Sequence, residues 1–136
     1  QFDQRAYLPK DRFTWTTGMD NTGWAYIPEA CDRGEACRLH VVLHGCRQGQ
    51  GYLPLRPVPG GGLYYGTTFV RNAGYNRWAE SNRLVVLYPQ AVSIPGINPN
   101  GCWDWWGYTG TDFPTRNGLQ LKAMRAMVDR ITSGRP

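Results

Sequence analysis

The feature that most limits what this chain can fold into is a short apolar run, Val41-Val42-Leu43, that stops at His44-Gly45-Cys46. A continuous run of this length between polar residues suits a strand buried on both faces. Gly45 would then let the backbone turn where a residue with a Cβ would resist. A second run of the same kind, Leu84-Val85-Val86-Leu87-Tyr88, leads into Pro89-Gln90. Between the two, residues 72–81 carry Tyr75, Trp78 and Ala79 at i, i+3 and i+4, the spacing of a helix with one apolar face.

The other elements fit around this unit. Residues 22–27 read as a strand, with Trp24, Tyr26 and Ile27 suited to a sheet and Pro28 closing it. Residues 31–37 then form a hairpin-like connection into the strand 38–43. Residues 115–131 carry the strongest helical pattern: Leu121, Met124, Val128 and Ile131 fall on one stripe, with Met127 beside it, while Lys122, Arg125 and Asp129 face away. Ser133-Gly134-Arg135-Pro136 ends that helix. Residues 1–18 read as an irregular arm packed by Phe2, Tyr7, Leu8, Phe13 and Trp15. Residues 49–66, with Pro54, Pro57, Pro59 and Gly60-Gly61-Gly62, form a long surface loop. Its Tyr52, Leu53, Leu55, Leu63, Tyr64 and Tyr65 either pack on the body or bind something, and packing is the commoner use. The order strand, strand, helix, strand, helix predicts part of an α/β sheet with helical crossovers.

At 136 residues the chain is a single domain or a half-domain. Its net charge of +5 is spread along the sequence without a block of like charges, which points to surface solvation and no nucleic-acid partner. No stretch is long and apolar enough for a membrane span, and no signal peptide is present; a chain beginning at Gln1 is compatible with a leader already removed. Four cysteines allow three full pairings. Cys31 and Cys37 bracket a turn-rich insert, so one local and one long-range bridge is the favoured reading. Reduced thiols, or a zinc site with His40 or His44, are the alternatives, but no C-x2-C pattern supports a metal. If oxidised, the chain belongs to an oxidising compartment.

A further stretch, residues 98–110, reads NPNGCWDWWGYTG. Together with HGCRQ at 44–48 and AGYNRWAESNRLVVLYPQ at 73–90, it resembles secreted polyhydroxyalkanoate depolymerases, in particular poly(3-hydroxybutyrate) depolymerases whose catalytic domain is circularly permuted. The resemblance runs from about residue 22 to residue 131. A His-Gly pair alone is also an ordinary strand-to-loop turn; HGC followed by GCWDWWGY is far more specific. The loop 49–66 looks longer than the family's pattern, and no residue is carried over there. The resemblance implies part of an α/β-hydrolase fold in permuted order, with residues 1–136 forming the oxyanion-hole and substrate-pocket portion. It implies disulfides Cys31–Cys37 and Cys46–Cys102, a Cys46 backbone N–H facing the developing oxyanion, and Trp103 beside the bound ester. It also implies no cofactor, and a secreted protein, extracellular or periplasmic.

A serine esterase needs a nucleophile, a histidine base and an acid that orients the base. No G-x-S-x-G occurs; Ser81 and Ser93 lack the flanking glycines, and Ser133 is close to the C-terminus. His40 would lie inside a strand, where a satisfied structural histidine is usual, and His44 lies in the oxyanion loop. In the permuted family the triad precedes the oxyanion segment, so the triad is expected on another segment or a second chain, and this chain alone should not hydrolyse a polyester or a short ester. A different reading is a non-catalytic, disulfide-bonded module that binds polyester or polysaccharide through exposed Trp105 and Trp106; a third is a stable fragment without activity. Trp103, Trp105, Trp106 and Tyr108 are too close together all to point inward, so some should be exposed.

Overall fold

Leu84–Tyr88 (β4) is the strand around which the sheet is built, and its sequence explains why. Val86, Leu87 and Tyr88 are all buried, so both faces of the strand need cover. In the computed structural model, which describes residues 1–58 and 62–134, that cover is a helical layer on each side. Phe2–Asp3 (β1), Thr22–Tyr26 (β2) and Arg38–Val41 (β3) complete a four-stranded mixed sheet in the order β1-β2-β4-β3. β4 is parallel to β3, with His40 opposite Val86, and antiparallel to β2, with Trp24 opposite Tyr88. Period-two alternation then sorts the core. Leu87 joins Met19 with Ala123 and Met127 of the helix Leu119–Thr132, while Val86 and Tyr88 join Val42 and Ala79 on the other side.

Three expectations about these elements are corrected. Residues 31–37 do not form a hairpin connection: β2 and β3 are not neighbours, because β4 lies between them. The chain leaves β2 through a single helical turn, Glu29–Asp32, tied by the Cys31–Cys37 disulfide. β3 is not buried on both faces. It is the last strand of the sheet among the described residues, Arg38 and His40 are exposed, and Leu43 beyond it is 46% exposed. The helix expected over 72–81 starts later, as Tyr75–Asn82, and an unexpected short helix, Thr68–Asn72, precedes it; the two are parted at Gly74, whose φ of 88° only glycine adopts at little cost. Ala79 packs on the sheet, whereas Trp78 is 70% exposed.

The C-terminal helix begins at Leu119, later than expected, with Gly118 as its N-cap. Its buried face is Gln120, Ala123 and Met127; Leu121 and Ile131 of the predicted stripe are exposed, and Met124 and Val128 are half-buried. Small Ala123 lets the helix approach the sheet, and Gln120 turns inward for hydrogen bonds described below. Arg135 and Pro136 of the predicted helix end, like Pro59, Gly60 and Gly61 of the predicted loop, lie outside the described residues. That loop packs only in part: Tyr52 and Tyr65 are half-buried and joined by a backbone bond of 2.8 Å, while Leu53, Leu55, Leu63 and Tyr64 are exposed.

The N-terminal arm is more regular than its sequence suggested: β1, a 3-10 turn Gln4–Tyr7, then one helical turn Thr14–Thr17. Phe2 and Tyr7 pack edge to face as expected, but Phe13 and Trp15 are exposed and meet mainly each other. What fixes the arm is Gln4, which is 0% exposed. Its Nε2 donates to the carbonyls of Asp20 (2.7 Å) and Gln90 (3.0 Å), and its Oε1 accepts the Gln90 N–H (2.9 Å). Gly23 makes room for this contact, since a Cβ there would fall 2.8 Å from Gln4 Oε1 and 2.5 Å from the Phe2 ring. Replacing Gln4 by Ala strands the Asp20 carbonyl and the Gln90 N–H, and leaves the Gln90 carbonyl with only the Asp20 N–H (2.9 Å), so it should lower stability by about 1–3 kcal/mol in urea unfolding. Gln4→Glu should cost at least as much, because a carboxylate has no donor for either carbonyl.

Candidate active site

Beyond β3 the chain keeps one more ladder bond, Val42 N–H to Leu87 O (2.9 Å), and then turns at His44. The His44 side chain is 1% exposed and sits between Phe69 and Trp103, with ring centroids 6.2 and 5.3 Å away. Its Nε2 accepts the Ala91 N–H at 3.0 Å, so the proton is on Nδ1, which donates to Gly45 O at 2.8 Å. Burial holds its pKa below the ordinary 6.5, against the smaller opposing effect of the Gly45 carbonyl. With both nitrogens committed to backbone, this ring has no free lone pair with which to serve as a catalytic base.

The loop that follows is closed on itself. Gln48 N–H donates to Gly45 O (3.2 Å), while Gly45 N–H donates to Gln48 Oε1 (2.7 Å). The left-handed position is not Gly45, as the sequence suggested, but Arg47, with φ 66°. Asn100 holds Arg47 there from both sides: its carbonyl accepts Arg47 N–H (2.7 Å) and its Oδ1 accepts Arg47 Nε–H (3.1 Å). Cys46 is exposed and bridged to Cys102 across a separation of 56 residues, with the two Cα atoms 4.3 Å apart. Its backbone N–H meets no acceptor among the described residues. Both predicted disulfides are therefore present, and all four cysteines are bonded.

Cys102 is in turn fixed by Asn98, which accepts its N–H (2.9 Å) and donates to its carbonyl (2.7 Å). Trp103 is half-buried; its Nε1–H donates to His44 O (2.9 Å) and its ring packs on the Met19 and Leu87 cluster. It also lines a cavity of about 150 Å³ with Leu43, Phe113, Leu121 and Met124. Trp105 is 72% and Trp106 42% exposed, as the crowding of aromatics required.

The residue that sorts these tryptophans was not singled out from the sequence. Asp104 accepts the N–H groups of Trp106, Gly107, Tyr108 and Thr109 and the Thr109 hydroxyl, at 2.6–3.2 Å. Burial pushes its carboxyl up, but the hydrogen bonds from Thr109, Gly107 and Tyr108 outweigh this, and its pKa lies below the usual carboxylate value. An Asp followed by glycine and threonine three and five residues on is a local signal that could have revealed it. Gln120, also missed, accepts Asp104 N–H (2.8 Å) and donates to Thr17 O (3.1 Å) and the Tyr108 hydroxyl (2.9 Å).

No nucleophile–base pair forms at the other candidates. His40 is exposed rather than a buried structural residue, because β3 is an edge, and its ring lies 5.5 Å from Tyr75. Ser81 donates to helix carbonyls of its own turn, and the buried Ser93 hydroxyl has no partner among the described residues.

Comparison with known proteins bears on this arrangement. No family model matches the chain. It is 44% identical over 127 residues, 92% of its length, to the poly(3-hydroxybutyrate) depolymerase of Delftia acidovorans. It is 40% identical over 128 residues, 86% of its length, to the polyhydroxybutyrate depolymerase of Talaromyces funiculosus. The crystal structure of PHB depolymerase from Penicillium funiculosum superposes with a TM-score of 0.75 at 37% identity, covering 88% of this chain and 37% of that one. A PHB depolymerase complexed with an R3HB trimer gives 0.74 over the same shares. This chain is related to the PHB depolymerases. It spans only 23% and 34% of the two curated relatives' lengths.

The neutral His44 ring makes a prediction about pH. Its folded pKa lies below the unfolded value, so its contribution is complete above about 6.5 and is lost as pH falls towards the folded pKa. The chain should lose unfolding free energy as pH falls below about 6.5. In His44→Gln, which is uncharged throughout, that part of the pH slope should be absent when chemical denaturation is repeated at each pH.

Proposed function

We propose that residues 1–136 supply the oxyanion hole and substrate pocket of a secreted serine esterase that hydrolyses poly(3-hydroxybutyrate) or its oligomers. The fold of the whole would be an α/β-hydrolase in circularly permuted order, with the Ser-His-Asp triad outside these residues, on the same chain or on a partner. The observation that carries this reading is the backbone N–H of the exposed residue Cys46, which meets no acceptor among the described residues, in the loop beyond a parallel strand. The names of the relatives, and the R3HB trimer bound to one of them, support the choice of ester. Two disulfides favour an oxidising compartment.

The chemistry follows from that donor. A serine Oγ attacks the ester carbonyl carbon while a histidine takes its proton, and the carbonyl π pair moves onto oxygen. Cys46 N–H and a second N–H beside the nucleophile stabilise that oxyanion; one such donor is worth roughly 10²–10³ in turnover. Collapse expels the alcohol, protonated by the same histidine, and water then cleaves the acyl-enzyme. Trp103, bonded to His44 O and one residue from the bridge, offers a rigid apolar face to the methyl-bearing hydroxybutyrate unit. Trp105 and Trp106 are the surface that adsorbs the polymer. No step requires a cofactor.

The test is hydrolysis of a p-nitrophenyl ester and of hydroxybutyrate oligomers by the catalytically complete protein. Turnover should be abolished by a serine-directed phosphonate, with the labelled peptide outside residues 1–136. Residues 1–136 alone should be inactive, and labelling of Ser81, Ser93 or Ser133 would overturn the assignment. Trp105→Ala and Trp106→Ala should weaken adsorption to polymer granules and spare soluble esters. The exposure of Trp105 also favours a second reading, a polyester- or polysaccharide-binding module, which would show adsorption without any ester hydrolysis by the complete protein.

A further inference from the structure

We infer that Gln48 is a positioning residue of the oxyanion loop: it removes the competing N–H of Gly45 and leaves Cys46 N–H as the one donor the loop presents. The inference rests on the esterase reading above. Residues 45–48 carry four consecutive backbone N–H groups, and a run of such groups in a tight turn binds anions and water without choosing among its donors. Here three of the four are spent. Gly45 N–H goes to Gln48 Oε1 (2.7 Å), Arg47 N–H to Asn100 O (2.7 Å) and Gln48 N–H to Gly45 O (3.2 Å).

Gln48 therefore grips Gly45 by both backbone groups, once through its own N–H and once through its carboxamide. The grip matters because the turn is not favoured by its sequence. A four-residue turn with positive φ at its third position prefers Gly or Asn there, and Arg47 occupies it at 66°. The choice of side chain is narrow. Asn would be one methylene short, and Glu would set a negative charge beside a developing oxyanion. Gly45 belongs to the same device: a Cβ on it would stand 3.0 Å from Gln48 Oε1, tighter than an ordinary contact.

The experiment uses the catalytically complete protein and compares wild type with Gln48→Met, which keeps the side-chain volume and lacks the carboxamide oxygen. Active sites are counted by phosphonate titration, so misfolded protein does not enter kcat. The expected result is a kcat per titrated site lower by about tenfold or more with KM changed by less than about twofold, the pattern of an interaction made only in the transition state. Gln48→Ala, with the same lost acceptor, should reproduce it. Unchanged kcat per site, even with fewer titratable sites or a lower melting temperature, would mean that Gln48 only stabilises the turn and would overturn the inference. A wild-type protein without ester hydrolysis would sink the esterase reading and this inference with it; an active wild type with an unaffected variant would sink the inference alone.

Discussion

The bond between the neutral His44 ring and the Ala91 N–H is the constraint on which the candidate site depends. Parallel strands β3 and β4 end side by side, and past their ends each leaves backbone groups without a ladder partner. His44 meets three such needs from one position. Its Nε2 accepts from Ala91, its Nδ1–H satisfies Gly45 O, and its own carbonyl accepts the Trp103 indole. Only the neutral imidazole can do this, since a protonated Nε2 has no lone pair to offer. Three segments without regular structure, at 44–48, 89–91 and 98–104, are thereby held in register before the Cys46–Cys102 bridge closes the arrangement covalently. The bridge limits how far the segments can separate, whereas the ring determines how they face each other.

Buried and half-buried glutamines extend the same logic through the rest of the chain. A glutamine side chain carries one acceptor and one donor group, as a peptide unit does, and is neutral. Gln4 joins the N-terminal arm to the end of β4. Gln50 donates to Thr22 O (2.8 Å), accepts the Trp24 indole (2.8 Å), and offers its N–H to Gln90 Oε1 (3.0 Å). Gln120 links the C-terminal helix to Thr17 O, Tyr108 and Asp104. With only four short strands among the described residues, these side chains stand in for ladder partners that the loops lack. Asp or Glu in the same places would bring a charge to be desolvated and no donor.

What could be read from the sequence follows from how local the cause is. β2 and β4 appear where alternation, β-branched residues and flanking prolines put them, because those signals act within a few residues. The order of the strands is not local: nothing in residues 22–43 says that β4 will enter between β2 and β3. The same holds for the helix Leu119–Thr132, where the Leu121 and Ile131 stripe is the most apolar face but Gln120 and Ala123 make the contact. Hydrophobic periodicity weighs residues by apolarity, and it cannot register a helix drawn inward by a hydrogen-bonding glutamine and a small side chain. Within the candidate site, Cys46, Cys102 and the tryptophans were legible through their resemblance to a family. Gln48 and Asn100 were not, since each acts through backbone groups that carry no sequence signature; Asp104 was missed although its spacing to Gly107 and Thr109 offered a local signal.

Asp104 shows how such a residue settles a question composition leaves open. Trp103, Trp105 and Trp106 lie within four positions and could not share one core. By collecting four successive N–H groups and a hydroxyl, the carboxylate folds the chain around itself immediately after Trp103. Trp103 is left against Met19 and Leu87, while Trp105 and Trp106 pass to the outside and meet edge to face. The low pKa of Asp104 belongs to this geometry, because the donors favour the charged acceptor more than burial opposes it. Its contribution is thus present above the unfolded carboxylate pKa and lost as pH falls through the folded one, in the same direction as that of His44. Both groups that shape the loop and the tryptophan segment are therefore at full strength at neutral pH and weaken in acid, His44 first and Asp104 only below the ordinary carboxylate pKa.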